Sequence, residues 1–187
     1  MKLLIIDNYD SFTFNLKHIC EPHVSHISVV RNDEIDLDMV NDFDKIMISP
    51  GPGLPQDSGN SIKVIKQYYD KKPIMGVCLG AQAIALVFDE LLYNLEKIMH
   101  GKQSEIQVID PNDLLYKNIP NKIIVGRYHS WAIDIKNKNT LIPTAIDKDN
   151  VIMSFRHFEY PIFGIQYHPE SILTQLGTEI LKNWLFS

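Results

Sequence analysis

The chain has 187 residues, 45% of them apolar, enough to build one globular domain with a substantial core. A net charge of −5 and a pI of about 5.8 leave no electrostatic footprint for nucleic acid or for an anionic membrane surface. Only two cysteines occur, Cys20 and Cys78, which points to reduced thiols in the cytoplasm rather than to a disulfide framework.

The opening Met1-Lys2-Leu3-Leu4-Ile5-Ile6-Asp7 carries an apolar run that Asp7 interrupts at once, so it reads as neither a secretory signal nor a membrane span. In chain order, Leu3 to Ile6, Ile27 to Val30, Ile46 to Ile48 and Ile74 to Val77 predict core strands. Between them lie helical segments over Ser11 to Cys20, Leu37 to Asn41 and Ser58 to Tyr69, and good helix formers continue over Ala81 to Val87. That alternation predicts an α/β fold with a mostly parallel central sheet flanked by helices. The second half turns strand-rich, with Ile106 to Ile109, Ile123 to Val125, Trp131 to Ile135, Val151 to Phe155 and Ile162 to Tyr167, and predicts an antiparallel extension of the sheet. Leu176, Ile180, Leu181, Trp184 and Leu185 recur at helical spacing and predict a closing amphipathic helix. No internal repeat, linker or low-complexity segment interrupts residues 1–187, which are read as a single domain.

Cys78 falls where a buried strand turns into a helix, in Gly76-Val77-Cys78-Leu79-Gly80. Glycines at i−2 and i+2 have the spacing of the strained nucleophile elbow, with Cys in place of Ser. They leave room for close strand and helix packing, and the start of the helix favours thiolate over thiol. Elsewhere a buried cysteine is usually a small hydrophobe; the glycine pattern is what sets this one apart. Of seven histidines, His168 in Gln166-Tyr167-His168-Pro169-Glu170-Ser171 is the best candidate base. Pro169 biases it to an extended backbone, in which Glu170 at i+2 points the same way and can orient the imidazole. An isolated His-x-Glu is more often an ordinary surface pair. The stretch Ser49-Pro50-Gly51-Pro52-Gly53-Leu54-Pro55 follows another strand and predicts a rigid, non-helical loop. Its Gly51 N–H can pair with that of Leu79 as an oxyanion hole, although without the elbow it would read as a tight turn.

Taken together, these residues resemble the class I (triad) glutamine amidotransferases, in particular the small glutaminase subunits of chorismate-using synthases. Six stretches carry the resemblance, in order along nearly the whole chain: Asp7 to Leu16, Ser49 to Gly53, Gly76 to Gly80, His100-Gly101-Lys102, Arg127-Tyr128-His129-Ser130 and His168-Pro169-Glu170-Ser171. The resemblance implies Cys78 as nucleophile, His168 as base and acid, and Glu170 as its support. It further implies that L-glutamine lies between Gly51, Pro52 and Gly53, the Gln82 side chain and the backbone of Ser130 and Trp131. Ala81 and Trp131 depart from the usual His and Leu, neither at a triad position. The implied chemistry is thioester formation on Cys78, release of ammonia and hydrolysis, with no cofactor or metal in this chain. A large chorismate-binding synthase subunit would receive the ammonia. Arg127 to Trp131 and Arg156 to Tyr160 look more like anthranilate synthase subunits than aminodeoxychorismate synthase ones, and both pathways stay open.

His100-Gly101-Lys102 and Arg127-Tyr128-His129 read as exposed polar loops, which the resemblance would set near the partner surface. Cys20, His23 and His26 have spacing that could suit a metal, but no fourth ligand lies nearby and Pro22 signals a turn, so a solvated loop is the preferred reading. No phosphate-binding glycine loop follows a strand. A flavodoxin-like binding module and a stand-alone cysteine hydrolase remain the alternatives that the strand and helix pattern allows.

Overall fold

The computed structural model describes residues 1–187. Strands β1 (Lys2–Asp7), β2 (His26–Arg31), β3 (Lys45–Ile48) and β4 (Ile74–Val77) lie parallel in the order β2-β1-β3-β4. Because both sheet faces are covered, the central strands β1, β3 and β4 are nearly continuous apolar runs. Alternate residues divide between two cores. Leu3 and Ile5 pack with Leu16 and Cys20 of helix α1 (Thr13–Cys20), and Leu4 and Ile6 pack with Val64 and Ile65 of helix α2 (Ser61–Tyr68). Helix α3 (Leu79–Val87) follows β4 directly and joins α2 on its face of the sheet. The segment expected to be helical over Leu37 to Asn41 is a single 3-10 turn over Asp38–Asp42.

The second half supplies β5 (Leu91–Asn94), β6 (Lys102–Val108), β7 (Lys122–Arg127), β8 (Trp131–Asp134), β9 (Leu141–Asp147), β10 (Ile152–His157) and β11 (Ile162–Ile165). β11 pairs parallel with β4, and β10, β9, β6 and β7 continue outward antiparallel, giving a nine-stranded sheet; β5 and β8 form a separate antiparallel ribbon. The antiparallel extension is therefore present, but β9 within it and β5 in the separate ribbon lie outside the sequence expectation. β9 contains Pro143, a residue that argues against a central strand. Its pairing with β6 covers only Ala145 to Asp147, so Pro143 sits beyond the shared ladder. β5 is short and mostly exposed, without an alternating pattern to reveal it. The closing helix α4 (Gly177–Leu185) buries Ile180, Leu181, Trp184 and Leu185 beside α1, as its spacing predicts.

Candidate active site

The β4 to α3 junction is an elbow in the literal sense. Cys78 has φ 51° and ψ −104°, a combination that side chains rarely tolerate and that persists only where the surroundings enforce it. Its N–H donates to the Ile165 carbonyl at 2.8 Å, so the turn is anchored to β11. The flanking glycines serve clearance: a Cβ on Gly76 would stand 2.4 Å from the Gly80 backbone, and one on Gly80 would stand 2.3 Å from the Ile48 carbonyl oxygen. The start of α3 is thus pressed against β4 and β3, and Leu79 occupies the first turn, where N–H groups lack intrahelical partners.

His168 follows β11 across the paired strand ends. Its backbone is clamped on both sides, its N–H donating to Gly126 O at 3.0 Å and its carbonyl accepting from Thr174 Oγ1 at 2.5 Å. The imidazole Nδ1 lies 2.6 Å from Glu170 Oε1, and both side chains are buried. Nε2 makes no full hydrogen bond and is left to interact with the Cys78 sulfur. Burial alone would lower the imidazole pKa; the interactions with Cys78 and Glu170 outweigh it and hold His168 well above its ordinary value. Tyr128 packs edge-on against the imidazole with ring centroids 4.8 Å apart, and Phe12 lies 6.4 Å away, so two aromatic rings shield it from water.

The proline and glycine loop is fixed by Asn8. Its backbone N–H donates to Ser49 Oγ at 2.8 Å, its Nδ2 donates to Ser49 O at 2.9 Å, and its Oδ1 accepts from Asn32 and Ser61. This holds Gly51 against Leu79, whose Cδ2 would lie 2.8 Å from a Cβ at that position. Gly51, Pro52, Gly53, Cys78, Leu79, Gln82, Ser130 and Trp131 all line one cleft of about 160 Å³, together with Tyr128 and His129. Every residue that the sequence nominates for the pocket is therefore gathered at the nucleophile. Gln82 donates through Nε2 to the Trp131 carbonyl at 3.1 Å and to Gln166 Oε1 at 3.2 Å, which leaves its own Oε1 as the group free to accept from a ligand.

Two expectations need correction. Arg127 and His129 are not exposed loop residues: Arg127 ends β7 and is 1% exposed, and His129 is 5% exposed. Arg127 can be buried because Asp147 of β9 meets its guanidinium at 2.5 Å, a partner that no local pattern reveals. Lys102, likewise, begins β6 rather than lying in a loop. Cys20 is a fully buried core residue at the end of α1, not part of a solvated loop, and burial pushes its thiol up to about 12, far from the thiolate that a metal requires. Sequence reasoning also passed over Gln166, which donates to the Cys78 sulfur at 3.6 Å. The signal was available: Gln166 is polar, directly follows an apolar strand and stands at i−2 from His168, the alternation that brought in Glu170.

Residues 4–187 match the family model described as glutamine amidotransferase class-I. A Saccharolobus solfataricus protein named anthranilate synthase component 2 is 44% identical over 97% of this chain and 96% of its own length. A Bacillus subtilis protein named aminodeoxychorismate/anthranilate synthase component 2 is 40% identical over 98% of this chain and 95% of its own. A solved Thermoplasma acidophilum chain, described as a GMP synthase subunit, matches at TM-score 0.89 and 25% identity, covering 100% of this chain and 92% of that one.

Proposed function

This chain belongs to the class-I glutamine amidotransferase family, and from that premise we propose that it is the glutaminase subunit of a chorismate-using synthase, with anthranilate as the favoured product. One observation carries the reading: a cysteine forced into an elbow, beside a His–Glu pair at 2.6 Å, opens on a cleft lined by the loop, helix and strand residues assigned to glutamine. The Cys78 thiolate attacks the side-chain carboxamide carbon of glutamine. The N–H groups of Leu79 and Gly51 receive the charge that develops on the oxygen. His168, which holds its proton tightly, delivers it to the leaving ammonia, and then takes one from the water that hydrolyses the γ-glutamyl thioester. Glu170 keeps the imidazole in the tautomer that aims Nε2 at the sulfur. Thiolate, imidazole and water suffice, so the chain needs no cofactor of its own.

The names of the two relatives support a synthase partner that consumes the ammonia. The Bacillus subtilis name, which joins both products, supports a second reading in which one glutaminase subunit serves the aminodeoxychorismate partner too. The test is reconstitution with each candidate large subunit. Cys78→Ala should abolish glutamine-dependent product, by at least about a thousandfold, and leave ammonium-dependent product intact. Glutamine-dependent product from the Cys78→Ala complex would overturn the assignment. Product formation with the aminodeoxychorismate partner alone would overturn only the anthranilate preference.

A further inference from the structure

Gln166 is 1% exposed and its amide bridges Gln82 and Cys78, two residues that line the cleft. The orientation of its amide follows from the far end of a hydrogen-bonded line. Asp147 Oδ1 accepts from the N–H groups of Asp149 and Val151, both at 2.9 Å, and Asp147 Oδ2 holds Arg127. Arg127 Nε can only donate, so His129 Nε2 accepts, at 3.1 Å. His129 Nδ1 therefore carries the ring proton and donates to the Trp131 carbonyl at 2.7 Å. That carbonyl can only accept, so Gln82 turns Nε2 towards it, and the second Nε2 proton goes to Gln166 Oε1. Gln166 is left with one possibility, an N–H directed at Cys78 Sγ.

We infer that Gln166 is a catalytic residue that donates to the Cys78 sulfur and favours its thiolate, held in place through Gln82, the Trp131 carbonyl and His129. A hydrogen bond to an anion is about twice as strong as one to a neutral acceptor, so the bond stabilises the thiolate over the thiol. It weakens when the sulfur is acylated and strengthens again as the thioester breaks and sulfur leaves as thiolate. The inference rests on the glutaminase reading for its reaction, but not for its test.

The test is alkylation of the full chain by iodoacetamide at about pH 7 and about pH 9.5, read by mass on the Cys78 peptide, with buried Cys20 as a silent internal control. Gln166→Leu should slow Cys78 alkylation about tenfold or more at the lower pH and approach the unmodified chain at the higher one. Gln166→Glu keeps an acceptor for Gln82 and sets a carboxylate beside the sulfur, so it should be slower still at the lower pH. Circular dichroism checks the fold; if Gln166→Leu does not fold, Gln166→Glu decides alone. Folded variants that alkylate at the unmodified rate, or that are slowed equally at both pH values, overturn the inference. In the reconstituted complex Gln166→Leu should lower kcat with KM within about twofold; a KM-only effect also overturns it. An unmodified chain that releases no glutamate, while Gln166 still controls alkylation, breaks the functional reading and leaves this inference standing.

Discussion

The parallel half of the sheet and its antiparallel extension fix the site by different means. Around β4, β3 and β11 the reacting atoms are positioned by backbone: an enforced φ at Cys78, glycines that let α3 touch the sheet, and apolar packing on both faces. Around β7, β8 and β9 the cleft wall formed by Tyr128 to Trp131 is positioned by buried charge. Arg127 and Asp147 are both buried, His129 bonds to Arg127, and Glu90 accepts from the N–H groups of Lys136 and Asn137 beyond β8. At the elbow the limit is volume, set by the close approach at Gly76 and Gly80; around Arg127 and Asp147 it is the pairing of two buried charges.

That contrast is sharpest at Gly80. A methyl group there meets the Ile48 backbone, which cannot move without breaking the β3 to β4 ladder, so Gly80→Ala should cost at least about 4 kcal/mol in a urea melt. In the other half, Arg127→Met preserves volume but strands Asp147, and should cost about 3–5 kcal/mol in the same melt. Replacing both charges, as Arg127→Met with Asp147→Asn, which keeps Oδ1 for the Asp149 and Val151 amides, should recover part of that loss, whereas no second substitution of comparable size rescues Gly80→Ala. A double variant no more stable than Arg127→Met would erase the distinction.

A smaller effect follows from pH. Burial, reinforced by the Arg127 charge, lowers His129 to about 4, while the unfolded chain takes up that proton near 6.5. Below about 6.5 the unfolded state therefore binds more protons than the fold, and stability falls as pH drops towards 4, by about 3 kcal/mol in full. Asp113 acts in the opposite sense, because burial raises its carboxyl to about 6 and the fold gains protons as pH falls. The two overlap, so the His129 contribution is isolated by comparing urea melts of the unmodified chain and His129→Gln across that range; equal slopes would remove it. The smallest effect belongs to the exposed Lys122–Glu105 pair between β7 and β6. Lys122→Met should change stability by less than about 1 kcal/mol, and less again in high salt.

The same contrast explains what the sequence disclosed. The elbow was legible because its cause is local: two glycines, one cysteine, an apolar run before and helix formers after. His168 and Glu170 were legible because Pro169 imposes an extended backbone and a period of two. Arg127, His129 and Asp147 were not, since burial of a charge depends on a partner twenty residues away and polar residues default to the surface. β9 was hidden by Pro143, which is tolerated only because β6 ends before reaching it. Gln166 obeyed the period of two already applied to Glu170, and an extension of that rule by one step in the other direction would have included it.

The backbone of Cys78 has a consequence beyond reactivity. Its φ of 51° with ψ of −104° lies where glycine alone is at ease, so the residue we propose as the nucleophile is the one least suited to its own place in the chain. A protein selected for endurance alone would carry glycine at 78, and would be sturdier and inert. The cysteine persists there at the expense of fold stability, and the surrounding apolar core and close helix contacts are the reserve that lets an uncomfortable residue remain where it is useful.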